Sequence, residues 1–181
     1  MNDLERLVAI EDVRYLQARY VRYADAKDWR ALANLFLPDA QFIPHDMDGK
    51  PQVTLTGRDE IERRVSAAVG SGTALHHLFS HEIDIDSPTR ARGLWAMEDR
   101  IDRSRDVQAA TSSTKVRGLW AAEDWSERRH VAPEAGGPPT PHRPFRTMHG
   151  YGHYHAAYEK VDGAWFIAGL KLFRARLDFT Y

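Results

Sequence analysis

The sequence contains no cysteine among its 181 residues. This absence excludes disulfide frameworks, thiolate zinc sites and cysteine nucleophiles, and it is compatible with a reducing compartment. The chain also lacks an excess of either charge, since 25 Lys and Arg stand against 26 Asp and Glu. It therefore has no positive field of the kind that attracts nucleic acid or an anionic membrane, and we expect neither partner.

Long apolar runs are missing as well, because no segment approaches the roughly 18 consecutive apolar residues that a membrane-spanning helix requires. Asp3 and Glu5 lie where a secretory signal would need a basic start. These two features predict a cytoplasmic protein. The sequence also has no glycine-rich phosphate loop, nucleophile elbow or His-Glu-x-x-His helix, so we expect neither a metal nor an organic cofactor.

With 43% hydrophobic residues, the chain suits one domain over residues 1–181.

In the N-terminal third, apolar residues recur with the spacing that is typical of helices. Apolar residues three to five positions apart predict a first helix from about Asp3 to Ala24. A second, short helix follows the cap residue Asp28 and is stopped by Pro38. A third runs to Gly70 after a capping pattern at residues 56–59, and short strands are expected at 40–45 and 53–55.

The second half of the chain alternates with the period of strands. From Leu75 onward two alternating runs flank a turn at Ser87–Thr89, which predicts a hairpin. Two longer strands, Thr147–Val161 and Trp165–Phe179, are joined at Asp162-Gly163, a strong hairpin signal. Three helices before an antiparallel sheet indicate the α+β class, with the helices covering one face of a curved sheet.

One stretch is nearly repeated. Residues 89–99, TRARGLWAMED, recur at 114–124 as TKVRGLWAAED. A single pair of copies is too few for a solenoid, so the second copy predicts an extra strand or flap beside its parent. It lies in an unusual insertion at about 102–144, and the end of this insertion, 132–144, is rich in proline, which predicts an exposed loop.

Four residues are candidates for chemistry. Tyr20 and Asp25 are five positions apart, about 140° around a helix, so we expect them to share a cavity only if the helix ends between them. Asp25 can also be a solvated turn residue. His76 and His77 point to opposite faces of a strand, so at most one of them reaches the interior. A carboxylate such as Asp25 would orient a buried imidazole as a general base.

A guanidinium and three further imidazoles occupy the C-terminal strands. Arg174 alternates with apolar residues, so it is either paired with an anion in the interior or is a surface charge at a strand end. His149, His153 and His155 share one strand face, a spacing that could suggest metal ligands. Three ligands in line on a flat strand lie too far apart for a tetrahedral site, so we expect no metal there.

Together these segments resemble a known family, the SnoaL-like group of the nuclear transport factor 2-like superfamily, over nearly the whole chain except about 102–144. No single motif is specific to the family, and the order and spacing of the motifs carry the resemblance. The segments are YVRYADAKDW at 20–29, LHH at 75–77 with Ile83, WAMED at 95–99, GYGHYH at 150–155 and DGAWFI at 162–167.

The resemblance implies a fold and a site. The fold is a cone in which a strongly curved antiparallel sheet and three helices enclose a deep, mostly apolar pocket. In the dehydratase-like branch, which includes scytalone dehydratase and bile acid 7α-dehydratase, an Asp and a His form the catalytic pair, and these match Asp25 and His76. We expect Tyr20, Arg174 and His153 to contact the substrate. The near-repeat departs from the family pattern, so the resemblance implies nothing about the mouth of the pocket in this chain.

We therefore predict a cofactor-independent lyase that removes a proton from a hydroxylated, mostly apolar aromatic, steroid-like or polyketide-like compound, with dehydration as the leading reaction. The alternatives are a formaldehyde-releasing retro-aldol lyase, an isomerase, a cyclase and a non-catalytic ligand-binding domain, because fold does not fix function. The resemblance also implies a homo-oligomer, and we expect a trimer, as in the dehydratase-like relatives. Apolar residues of both parities in the last two strands, such as Ile167 and Leu170, suggest that both sheet faces are buried.

Overall fold

A computed structural model describes residues 1–103 and 145–181 of the chain. Within these ranges the chain forms three helices and six strands, and the α+β class predicted from the sequence is confirmed. The helices are α1 (Asp3–Ala26), α2 (Trp29–Ala33) and α3 (Arg58–Val69). The strands are β1 (Phe36–Pro44), β2 (Leu55–Thr56), β3 (Thr73–Ser87), β4 (Arg90–Asp102), β5 (Thr147–Val161) and β6 (Ala164–Thr180).

Both ends of α1 are fixed by local contacts. The Asn2 side chain accepts the backbone N–H of Glu5, and the Glu5 carboxylate accepts the backbone N–H of Asn2, each at 2.8 Å. This reciprocal capping satisfies two N–H groups that the first turn leaves without helical partners. Lys27, with φ of 57°, ends the helix in the left-handed region. The helix therefore extends two residues past the predicted end at Ala24.

Helix α2 is shorter than its pattern predicted. The Asp28 carboxylate caps it as expected, accepting a backbone N–H of the first turn at 3.1 Å. The predicted stop at Pro38 is wrong, since the helix ends at Ala33 and Phe36 already belongs to β1. Phe36 pairs with Ile167 of β6. Sheet pairing thus overrides the weak helical preference of the segment.

The strands form one curved, open sheet in the order β2-β1-β6-β5-β4-β3. All neighbouring pairs are antiparallel except β1 and β6, which run parallel. This pair departs from the fully antiparallel arrangement that we expected. β1 and β6 are far apart in the sequence, so no tight hairpin constrains their relative direction.

The two predicted hairpins are present. β3 ends at Ser87 and β4 begins at Arg90, on either side of the expected turn. β5 and β6 meet at Asp162-Gly163, where φ is 50° and 82°. Both values are positive, as a two-residue type I′ turn requires, and this is the turn that Asp-Gly favours. The two hairpins thus fix the register of β3 with β4 and of β5 with β6.

One face of the sheet packs against the helices and forms the core, which we call the inner face. Gln17 on α1 is fully buried against it. Trp95 Nε1 donates to the Tyr158 hydroxyl at 2.9 Å, and this hydroxyl donates to Gln17 Oε1 at 2.8 Å. The hydrogen bonds tie α1 to β4 and β5. The other face, which we call the outer face, carries most of the exposed strand residues.

Bulges in β6 change which of its side chains face the core. Ala157 pairs with Gly169, but its neighbour Tyr158 pairs with Ile167, so one extra residue of β6 lies between them. Ile167 and Leu170 have opposite parity, yet both are buried on the inner face because of this bulge. These two residues therefore do not indicate two buried faces. A homo-oligomer, trimeric or otherwise, stays a prediction.

The expectations for the insertion fall outside the described residues. The first copy of the near-repeat, 89–99, lies in and just before β4, whereas the second copy at 114–124 belongs to the range 104–144 that the structure does not describe. No helix in 1–103 or 145–181 is both long and apolar enough to cross a membrane.

Candidate active site

A cavity lies between α1, α3 and the inner face of the sheet. Its polar lining includes Tyr20 from α1, His76 from β3 and Arg174 from β6. Most of the remaining wall is apolar, so a bound molecule would lose much of its contact with water. The apolar lining includes Phe42, Val65, Val69, Ile101, Met148 and Leu172.

His76 and Asp25 are in direct contact. His76 Nδ1 lies 2.7 Å from Asp25 Oδ1, and the backbone N–H of His76 donates to the same oxygen at 2.9 Å. Because a carboxylate oxygen is an acceptor, Nδ1 carries the proton in this arrangement and Nε2 keeps its lone pair. Both side chains are largely shielded, with 11% exposure for His76 and 25% for Asp25. The contact expected between them is therefore present.

The end of α1 is held against the start of β3. The Lys27 ammonium group donates to the backbone carbonyl of Ser71 at 2.8 Å, just before β3 begins. This contact brings the last turn of α1, which carries Asp25, next to the first residues of the strand. His77, the residue after His76, points to the outer face and lies 3.7 Å from Glu98. Only one of the paired histidines therefore reaches the cavity, as strand alternation predicts.

Tyr20 and Asp25 do not share the cavity, in agreement with the condition that their spacing on one helix imposes. α1 continues unbroken to Ala26, and Tyr20 lines the cavity while Asp25 does not. The two side chains leave the helix in different directions, as their spacing requires. Asp25 reaches the site indirectly, because His76 lies between its carboxylate and the cavity.

Arg174 is paired with Asp99, a residue that sequence reasoning missed. The two groups form a bidentate pair, with Arg174 Nη2 donating to Asp99 Oδ2 at 2.6 Å and Nη1 donating to Oδ1. Asp99 is buried and Arg174 is nearly so, which decides against a surface charge at this position. Such a pair holds a guanidinium rigidly in a low-dielectric wall. Asp99 continues the inward alternation of Trp95 and Met97, and this signal could have revealed it.

Two glycines of β5 make room for this ion pair. A Cβ on Gly150 would overlap Arg174 Nη1 and Asp99 Oδ1. A Cβ on Gly152 would overlap the backbone carbonyl of Phe173, where β6 bulges next to Arg174. The glycines in the motif at 150–155 therefore serve close packing around Arg174.

Tyr20 meets a second tyrosine, Tyr154 of β5, inside the cavity. The rings contact edge-on with their centroids 5.7 Å apart, and both residues line the cavity. Burial is the main cause that raises the pKa of the Tyr20 hydroxyl above its ordinary value, and the nearby Asp99 carboxylate adds to it. The same cause raises the pKa of Tyr154. Both hydroxyls therefore stay protonated at neutral pH, and the Tyr20 hydroxyl can donate a hydrogen bond to a ligand.

His153 does not lie in the cavity. It is exposed on the outer face, while its neighbour Tyr154 points inward. The alternation of β5 explains the difference, because even-numbered residues of this strand are buried. His149 and His155 share the outer face with His153. The residues that the structure describes contain no group of three or more potential ligands placed to hold a metal ion.

A family model for the SnoaL-like domain matches residues 5–171. The chain belongs to the SnoaL-like family. The resemblance noted in the sequence is thereby confirmed at the level of family and fold. No curated protein sequence matches the chain.

Solved structures with this fold include proteins named as a dehydratase and as dehydrochlorinases. A scytalone dehydratase-like protein from Novosphingobium aromaticivorans is 19% identical, with 98% of this chain and 91% of that chain covered and a TM-score of 0.66. A type 2 hexachlorocyclohexane dehydrochlorinase is 13% identical over 99% of this chain and 94% of that chain, with a TM-score of 0.67. The type 3 enzyme from Novosphingobium barchaimii is also 13% identical, with 98% and 94% covered and a TM-score of 0.66. At such identities the likeness establishes the fold.

Proposed function

We propose that this protein is a cofactor-independent lyase in which His76 removes a proton from a substrate bound in the cavity. The observation that carries the proposal is the position of His76, whose ring lines the cavity while its Nδ1 is held by Asp25. The carboxylate orients the imidazole and stabilises the imidazolium that forms when Nε2 accepts a proton. Asp25 therefore acts as the residue that positions and supports the base.

The other polar groups of the cavity suit an elimination. As His76 takes a proton from carbon, electron density moves toward the neighbouring carbon and the bond to the departing hydroxyl oxygen breaks. The Tyr20 hydroxyl donates a hydrogen bond to this oxygen, which takes up the proton held by His76 and leaves as water. The imidazole is thereby restored, and the substrate gains a carbon–carbon double bond. Arg174 lies in the same wall and stabilises negative charge that develops on a substrate carbonyl.

The lining favours a hydroxylated compound with a mostly apolar body. Aliphatic and aromatic side chains surround the polar groups, and such a lining favours the apolar body of an aromatic, steroid-like or polyketide-like compound. Two structural neighbours, named as a dehydratase and a dehydrochlorinase, bear names that denote eliminations. Dehydration is accordingly the reaction that we propose here.

The test is a screen for water loss. Purified protein is incubated with hydroxylated ketones of aromatic, steroid-like and polyketide-like type, and the products are analysed by mass spectrometry. We expect one class to lose water, with solvent deuterium appearing at the abstracted position of the recovered substrate and with undiminished activity after exhaustive chelation. His76→Ala should lower both signals at least about a hundredfold.

Other outcomes assign the protein differently. Release of formaldehyde would assign a retro-aldol lyase, and a product of unchanged mass would assign an isomerase or cyclase. Binding of these compounds without turnover or deuterium exchange would make the protein a ligand-binding domain and would overturn the proposal. His77→Ala is the matched control, because His77 is adjacent in sequence and points to the outer face.

A further inference from the structure

The buried ion pair in the cavity wall sets a condition on the charge of a ligand. Arg174 and Asp99 both line the cavity, and their bidentate contact uses Nη1 and Nη2 of the guanidinium. A guanidinium has five N–H donors, so three of them remain for other oxygens. Its positive charge, however, is already matched by the carboxylate.

The other charged groups around the cavity are carboxylates. Arg174 is the one lysine or arginine among the described residues that line the cavity, whereas Asp99 and Asp46 both line it. A third carboxylate, Asp25, lies behind His76, with its Oδ1 2.7 Å from the imidazole Nδ1. Carboxylates therefore outnumber guanidinium groups at this site.

An anionic group of a ligand would have no favourable position beside Arg174. It would lose water on entering the cavity, because most of the wall is apolar. Burial of an ion is unfavourable unless an opposite charge pairs with it. Arg174 could pair with it only by releasing Asp99, which would then be a buried carboxylate without a partner. A neutral carbonyl or hydroxyl group avoids this cost.

We propose that Asp99 determines substrate specificity by holding Arg174 in a neutral pair. The cavity then accepts an uncharged oxygen beside Arg174 and rejects a carboxylate or phosphate at the same place. The substrate class is thereby narrowed to compounds whose group at this wall is a ketone or an alcohol. The inference rests on the proposed function, since it assumes that the substrate binds in this cavity.

The first experiment compares two ligands of nearly the same shape. At neutral pH the amide 4-fluorobenzamide is uncharged and 4-fluorobenzoate is anionic, and fluorine nuclear magnetic resonance measures the dissociation constant of each. We expect the wild type to bind the amide at least about tenfold more tightly than the carboxylate. Asp99→Asn leaves Arg174 without an anion, so its preference should shift toward the carboxylate by at least about tenfold.

Asp46→Asn is the matched control, because it makes the same chemical change in another residue that lines the cavity. Asp46 Oδ1 accepts the backbone N–H groups of Asp48 and Lys50 at 3.0 and 2.8 Å, and an amide oxygen can accept the same bonds. This substitution removes one carboxylate but leaves Arg174 paired with Asp99. We expect the ratio of the two dissociation constants to change by less than about threefold.

A second measurement tests the same pairing through stability. Asp99→Asn leaves a buried cation unpaired and should lower the melting temperature, and a carboxylate that takes the place of Asp99 should raise it again. We expect 4-fluorobenzoate to raise the melting temperature of Asp99→Asn more than that of the wild type. The amide should show no such difference between the two proteins.

Two results would overturn the inference. One is a wild type that prefers the carboxylate, and the other is an Asp99→Asn variant that keeps the preference of the wild type. Both measurements record binding, so they decide the role of Asp99 without any reaction. A protein that shows the expected shift but turns over no substrate in the screen would refute the lyase and support the selection of neutral ligands by Asp99.

Discussion

A single oxygen of Asp25 holds His76 at two points. Oδ1 accepts the backbone N–H at 2.9 Å and contacts the ring Nδ1 at 2.7 Å. The backbone bond fixes the start of β3 relative to α1, and the ring bond fixes the orientation of the imidazole. One carboxylate therefore sets both the position and the tautomer of the group that we propose as the base.

Removing the imidazole should remove most of the activity. His76→Ala is expected to lower turnover of the substrate found in the screen by about two to four orders of magnitude, the usual contribution of a general base. Asp25→Asn should lower turnover as well, because an amide does not stabilise the imidazolium. The measurement is kcat at saturating substrate for each purified variant.

The matched control lies one residue further along the strand. His77→Ala should retain turnover within about threefold of the wild type, since the side chain is half exposed on the outer face. Circular dichroism should show that all three variants are folded. A His76→Ala variant with the kcat of the wild type would eliminate the proposed role.

Some of this site follows from the sequence and some does not. The pairing of Asp25 with His76 was predicted by resemblance to a family, because contacts between residues 51 positions apart cannot be read from local periodicity. Alternation explains why His76 rather than His77 faces inward once one face is known to be buried. The inward position of Tyr20 likewise follows from the apolar stripe of α1.

The predictions that were wrong or absent have different physical causes. His153 was misplaced because histidine is ambiguous between interior and surface, although its buried even-numbered neighbours on β5 predict an outward position. Asp99 was missed because a charged residue looks like surface until its partner Arg174 is found. The parity of β6 misled because a bulge shifts every later side chain to the other face, and a bulge leaves little trace in one sequence.

Removing only one partner of the ion pair between Arg174 and Asp99 should lower the free energy of unfolding. Arg174→Met leaves a buried carboxylate without its partner and should lower the free energy of unfolding by about 3–5 kcal/mol. The double variant Asp99→Leu Arg174→Met leaves no charge behind and should lose less than Arg174→Met alone. Urea denaturation measures both of these variants and the single variant Asp99→Leu. If the double variant loses the sum of the two single changes, the groups do not interact as the geometry indicates.

Gly150 should tolerate no side chain. Gly150→Ala forces a methyl group into the space of the ion pair and should lower the free energy of unfolding by about 1–3 kcal/mol. Gly169→Ala is the control, because a Cβ there meets only a backbone oxygen at 4.0 Å, an ordinary contact distance. Thermal denaturation of the two variants should rank Gly150→Ala clearly below Gly169→Ala, and equal melting temperatures would refute the overlap.

His155 should titrate below the ordinary range of histidine. Burial lowers its pKa, and the nearby His153 and Lys171 lower it further. The unfolded chain therefore takes up a proton at a higher pH than the fold does. The contribution of His155 to stability is complete above the unfolded pKa of about 6.5 and falls as the pH drops toward the folded pKa.

The titration can be followed directly through the ring protons of His155 by nuclear magnetic resonance. Lys171→Ala should raise the pKa of His155, because a positive charge beside the imidazole is removed. Lys50→Ala removes an exposed lysine in the loop after β1, which is not among the charges that shift His155, and should leave the pKa unchanged. An apparent pKa for His155 at or above about 6.5 in the wild type would contradict the assigned environment.

The hydroxyl of Tyr20 should act as a donor and not as a base. Burial raises its pKa above the ordinary value near 10, so it stays protonated over the whole neutral and mildly alkaline range. Tyr20→Phe removes only this hydroxyl and keeps a ring that packs edge-on against Phe36 and Tyr154. We expect kcat to fall by about two to three orders of magnitude with little change in KM, because the hydroxyl donates mainly as the oxygen departs. Tyr15→Phe changes an exposed residue of the same helix and should have no effect.

In the pH profile of the wild type, no loss of activity below about pH 10 should depend on Tyr20. An alkaline limb below that pH that disappears in Tyr20→Phe would show instead that the hydroxyl ionises during catalysis and that its assignment as donor is wrong.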